Sequence, residues 1–145
     1  MERYTCVWDA ICDTPEEARE MRSRSRLLMH LDQLLNRLSD ASARQLMGIS
    51  TERLDALRRG KIDLFSLEEL MGLARRIGIS VIEIDGEPAT IQHHPEIGMH
   101  RGEFIALAGG ADFYAADRAD LEREGRLSLK TYREARVEEG PGGRP

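Results

Sequence analysis

The sequence predicts a mainly α fold: a helix-turn-helix bundle of four to five helices, then a short β-strand or hairpin, then a small helical C-terminal extension. Three observations predict it. Apolar residues recur at i, i+3 and i+4 between residues 27 and 77, the spacing of one helix face. Capping residues stand in front of those stretches, most clearly Ser66 with Glu69 three residues on. One short run, Ile79-Ser80-Val81-Ile82-Glu83-Ile84, alternates apolar and polar residues with β-branched side chains, which suits a strand. The chain of 145 residues divides into a lead-in at 1–14, a helical domain at 15–78, a β element at 79–92, an accessory region at 93–136 and a disordered tail at 137–145.

Asp13-Thr14-Pro15-Glu16-Glu17 is a helix start, because a capping side chain precedes proline at the first helical position and acidic residues follow where the dipole favours them. That helix is expected from Pro15 to about Leu38, with Leu27, Leu31, Leu34, Leu35 and Leu38 as its apolar stripe. Arg19, Glu20, Arg22, Arg24 and Arg26 make its first half a charged face, expected to be solvated and laced with i, i+4 ion pairs or to meet a partner. Residues 39–60 read as two short helices joined by a tight turn. Ser39 or Asp40 caps the first, which buries Ala43, Leu46 and Met47; Gly48 makes the turn. Ser50 caps the second, Thr51 to Arg59, which buries Leu54 and Leu57 and exposes Thr51, Glu52, Arg53, Asp55, Ala56, Arg58 and Arg59.

A further helix follows Ser66, with Leu67, Leu70, Met71, Leu73, Ala74 and Ile77 inward and Gly78 as its stop. After the strand, Ala89-Thr90-Ile91-Gln92 is the candidate hairpin partner. A lone two-stranded hairpin is marginal, so pairing with a second subunit through Val81, Ile82 and Ile84 is expected. Residues 93–112 read as loop around a short apolar anchor, Phe104 to Ala108. A helix is expected from Asp112 to about Glu124, with Phe113, Tyr114 and Leu121 inward and Gly125 as its end. A second short helix would use Leu127, Leu129, Tyr132 and Ala135.

The stretch from 38 to 65 resembles the Cro/lambda-repressor type of helix-turn-helix, often called the XRE family, with Gly48-Ile49-Ser50 in its turn. Leu57-Arg58-Arg59-Gly60-Lys61-Ile62-Asp63-Leu64-Phe65-Ser66 is similar to the L-x-x-G-K-x-x-x-F-S segment of HigA-like antitoxins and related regulators. Val7-Trp8-Asp9-Ala10 and Thr14-Pro15-Glu16-Glu17-Ala18 look like the lead-in of that group, so the resemblance spans about residues 4–85. It implies DNA binding and dimerisation by strand pairing. The family usually places glutamine near the start of the first motif helix, on phosphate; Asp40 stands there instead and would repel one.

Charge is uneven. Residues 1–39 carry 6 basic and 7 acidic side chains, 40–80 carry 7 and 6, and 81–145 carry 8 and 13, within a net charge of −5. A weakly basic motif in an acidic chain suits sequence-dependent DNA contact better than bulk coating. No run approaches the ~20 apolar residues of a membrane helix and MERYTCVWDA shows no apolar leader, so a cytoplasmic protein with Cys6 and Cys12 reduced is expected. His93, His94 and His100 match no zinc spacing and are read as loop histidines; no metal or cofactor is expected. Phosphate-loop, dinucleotide and nucleophile-elbow motifs are absent, so no catalytic residues are assigned and no enzyme is expected.

The function expected is a sequence-specific transcriptional regulator, a homodimer on double-stranded DNA with a pseudo-palindromic operator. Thr51, Glu52, Arg53 and Asp55 would face base edges, Arg53 as a bidentate partner of guanine. Ser39, Ser50, Arg58, Arg59 and Lys61 would position the DNA backbone. The alternative is the antitoxin of a HigBA-like pair, or a protein-interaction module with a degenerate motif. Its partner (a toxin, RNA polymerase or another regulator) would meet the N-terminal helix or the C-terminal region.

Overall fold

The computed structural model describes residues 12–139. Most of the lead-in and residues 140–145 of the expected tail, with Cys6, lie outside the described residues; residues 137–139 still belong to the last helix. Thr14 accepts from the Glu17 N–H and Pro15 takes the first helical position, starting α1 (Pro15–Leu35), three residues shorter than expected. Ser39 caps α2 (Asp40–Met47), and Ser50 caps α3 (Thr51–Arg58). A 3₁₀ turn (Ile62–Leu64) leads to α4 (Leu67–Arg76), which opens on the full Ser66/Glu69 capping box. Leu27, Leu31 and Leu35 of α1, Ala43 and Met47 of α2, Leu54 and Leu57 of α3, and Leu70 and Ala74 of α4 form one core with Phe65. Leu46 was expected in it but is 48% exposed: Ala43 and Met47, i and i+4, form the narrow seam of α2 and Leu46 falls beside it. Ala56, expected on the surface, is buried.

The C-terminal half corrects the mainly α expectation to a mixed α/β fold. Strands β1 (Ser80–Ile84), β2 (Glu87–His94), β3 (Met99–Phe104) and β4 (Ala111–Ala115) form an antiparallel sheet in sequential order. One continuous helix, α5 (Leu121–Glu139), then packs on it. Residues expected as loop and as the start of a helix are therefore strands. The period shows why: Phe113 and Ala115 are buried while Tyr114 between them is 42% exposed, an alternation of two. Gly125 does not stop a helix. It lies inside α5, where an added Cβ would strike Ile84, so its bare backbone lets the helix approach the sheet. Gly102 plays the matching part in β3, since the Phe113 ring opposite it fills the space a side chain would need.

This sheet has two unlike faces. Ile84, Ala89, Ile91, Phe104, Phe113 and Ala115 pack with Leu121 and Leu129 of α5 in a second core. On the other side, Ile105, just past β3, is buried in the first core, and α1 adds polar contacts. Arg19 pairs with Glu87 at 2.8 Å, Arg22 donates to the Ala106 carbonyl at 2.9 Å, and Arg26 donates to the Phe104 carbonyl at 3.0 Å. Buried His30 stands 3.1 Å from Glu103 and 3.3 Å from the Gln92 amide. The charged half of α1 thus docks on the sheet, though the expected i, i+4 pair of Glu20 and Arg24 is present as well.

Candidate nucleic-acid interface

Gly48 closes α2 in the left-handed conformation at φ 67°, which a side chain adopts at a cost, and the chain turns directly into α3. Ser39 and Ser50 sit where the DNA backbone was expected. In this fold their hydroxyls accept from the Ser42 and Arg53 N–H groups, so both hold helix ends. Thr51, Glu52, Asp55 and Arg59 are exposed at helical spacing along the outer side of α3, with Lys61 exposed just beyond it. Asp55 and Arg59 pair at 3.1 Å on the surface, a weak contact that either can exchange for another partner.

Two arginines expected on DNA are committed to the fold. Arg53 turns back along its own helix: it donates to the Leu64 carbonyl at 2.9 Å, reaches Glu69 at 3.3 Å and lies 4.0 Å over the Phe65 ring. The Glu69 carboxyl is held below its usual range, first by the Ser66 backbone N–H and also by Arg53. A guanine contact by Arg53 would have to exchange these partners for the base. Arg58 extends toward the end of α1, within 3.4 Å of the Leu35 and Leu38 carbonyls, and pairs with Asp40 at 3.0 Å. It staples α3 to α1 and α2. The same pair neutralises Asp40, so the charge expected to repel phosphate is matched within the fold.

Several residues escaped the sequence argument. Arg44 and Gln45 of α2 are exposed, and an Arg76 guanidinium nitrogen lies 3.0 Å from where a Cβ on Gly48 would stand, against the inter-helix turn. No local signal marks Arg76, because only the packing of α4 brings it to the turn. His93 and His100, expected in a loop, face each other across β2 and β3 with ring centres 4.6 Å apart.

A family model described as a helix-turn-helix domain matches residues 10–85, more than half of the chain. The chain belongs to the helix-turn-helix domain family. The match ends near Ile84, the last residue of β1, so the rest of the sheet and α5 extend this helix-turn-helix protein beyond the shared domain. No curated protein and no solved structure matches the chain. Among the described residues, no helix is long and apolar enough to cross a membrane, and no cluster of three or more His, Cys, Asp or Glu could hold a metal ion.

Proposed function

We propose that this helix-turn-helix protein is a sequence-specific transcriptional regulator that binds double-stranded DNA as a homodimer on a pseudo-palindromic operator. The observation that carries the proposal is the outer side of α3. There Thr51, Glu52, Asp55 and Arg59 stand exposed while every buried leucine of the motif and both helix caps are satisfied within the fold. Thr51, Glu52 and Asp55 would meet base edges, the acids accepting from cytosine amino groups. Arg59, Lys61 and Arg76 would meet phosphates. The Gly60–Ser66 run supports placing the chain with HigA-like regulators inside the wider family.

A dimer would bring two copies of α3 into successive major grooves, about 34–36 Å apart. The free edge of β1 supports this reading more than its side chains do. Ile84 lies in the chain's own second core and β3 already completes the hairpin, so the original reason for a partner strand has gone. Among the described residues β1 pairs with β2 alone, so no strand covers its outer edge. Arg118, bonded to Ser80 at 3.2 Å, and Arg75 lie at one end of β1, with Glu83 and Asp85 at the other. An antiparallel two-fold pairing about Ile82 would set each basic end beside the partner's acidic end. A toxin contact on the charged half of α1 gains no support, because Arg19, Arg22 and Arg26 are engaged by Glu87 and by the Ala106 and Phe104 carbonyls.

The test is a salt titration of the full chain on its own upstream DNA against a random duplex of equal length, with light scattering alongside. The proposal expects a dimer and a preference of roughly a thousandfold that persists near physiological salt. Equal, weak binding that vanishes with salt overturns the specific reading. For the edge, Arg118→Glu should weaken the dimer at least tenfold, and an unchanged dimer would reject the β1 interface.

A further inference from the structure

The polar seam between α1 and the sheet opens into a cleft of about 220 Å³ beside the Gly109-Gly110 turn. That is below the roughly 300 Å³ at which drug-sized sites begin, so it suits a ligand of a few heavy atoms. Its charges are arranged in two kinds. Arg101 is locked between Glu103 and Asp112, at 3.1 Å from each, and Glu103 is also held by His30. Those groups satisfy one another. Arg26, whose charge also acts on Glu103, and Asp112, one oxygen of which holds Arg101, keep further hydrogen-bonding capacity. Among the described residues, Arg26 makes one hydrogen bond, to the Phe104 carbonyl, although a guanidinium carries five N–H donors. Asp112 uses one carboxylate oxygen on Arg101, and its other oxygen meets no partner among the described residues. The Gly109 N–H likewise has no backbone acceptor there. Gly110, at φ 76°, brings its backbone against Arg26, where a Cβ would come within 3.1 Å of the guanidinium.

We propose that this cleft binds a small zwitterion of the α-amino-acid class. The ligand carboxylate meets Arg26 and the Gly109 N–H, and its ammonium meets the open oxygen of Asp112. A bare anion would face Asp112 and Glu103 as well as the arginines, and a bare cation would face Arg26 and Arg101. Only a ligand carrying both charges gains at both ends. Because Arg26 belongs to α1, which also carries the motif's core leucines, occupancy joins the sheet to the reading head. The role of effector rests on the regulatory function proposed above; the binding itself does not.

The experiment therefore uses no DNA. Amide shifts of the ¹⁵N-labelled full chain are followed while each of the twenty common amino acids is added, with acetate and methylammonium as single-charge controls. At least one amino acid should shift the Gly109, Gly110 and Asp112 amides saturably, at concentrations where neither control does. Asp112→Asn, at an exposed position, should weaken that binding at least tenfold, and Arg26→Gln should do the same if it folds. The proposal is overturned by no saturable shift with any amino acid, by equal shifts with acetate alone, or by an Asp112→Asn chain that binds unchanged.

Discussion

Replacing Arg53 with alanine separates a residue that reads DNA from one that holds the reading head together. In the fold its guanidinium has three partners: the Leu64 carbonyl at 2.9 Å, the Phe65 ring at 4.0 Å and Glu69 at 3.3 Å. A charge-assisted hydrogen bond to a carbonyl that water can reach contributes about 1 kcal/mol net, since solvent takes over the acceptor when the arginine is gone. The exposed cation–π contact contributes about 0.5–1 kcal/mol. The pair with Glu69 is open to solvent and is counted as nothing. Arg53→Ala should therefore lower stability by about 1.5–2 kcal/mol, a fall in Tm of about 5–8 °C for a chain of this size. Urea and thermal unfolding measure it, with operator and random-DNA affinities determined on the folded fraction. Arg53→Lys should recover part of the ring contact and little else, because an ammonium cannot span carbonyl, carboxylate and ring together. The reasoning is refuted if Arg53→Ala melts within about 0.3 kcal/mol of the parent while operator binding falls selectively by ~1–3 kcal/mol, the pattern of a base-reading arginine.

Three further outcomes follow from the same geometry. Lys61→Ala should weaken operator and random DNA alike and reduce the salt slope by about 1, and a loss confined to the operator would contradict a phosphate role. Gly102→Ala sets a methyl group against the Phe113 ring in the second core and should cost about 1–3 kcal/mol or more in a urea melt; a loss under about 0.5 kcal/mol would show that the ring can move aside. The Glu103 carboxyl is held below its ordinary range, first by His30 and then by Arg101 and Arg26, against the opposing effect of burial. Its folded pKa is depressed, so it contributes stability above its unfolded pKa, and that stability is lost as pH falls through the folded value. Unfolding profiles from about pH 5 down to pH 3 should be steeper for the parent than for Glu103→Gln, and parallel profiles would remove Glu103 from the account.

The helical half of the chain was legible because its signals are local. Thr14-Pro15, Ser50 and the Ser66/Glu69 box each act within three residues of themselves, and the leucine stripe of α1 repeats over two turns. The sheet was misread for a different reason. Asp112 to Ala115 is too short for its period to stand out, and Gly102, Gly109, Gly110 and Gly125 look like breakers. The meaning of Gly102, Gly110 and Gly125 is set by Phe113, Arg26 and Ile84, which the fold delivers from other elements. The partners of the motif arginines were hidden in the same way. Exposed arginines on a recognition helix look alike in sequence, and what distinguishes Arg53 and Arg58 from Arg59 is a set of carbonyls at Leu64, Leu35 and Leu38.

Those long-range contacts also decide which part of the molecule yields first. Helix α1 serves two bodies with different chemistry on its two sides. Toward α2, α3 and α4 it buries Leu27, Leu31 and Leu35 completely, each worth about 1.5–3 kcal/mol of transfer from water. Toward the sheet it offers Arg19, Arg22, Arg26 and His30, and each net polar contact there contributes on the order of 1 kcal/mol. When the two bodies part, α1 stays with the leucines. Ile79 and Ile105, which flank strands of the sheet, are buried in the same core as those leucines, so they are the stronger part of the attachment and the polar contacts the weaker.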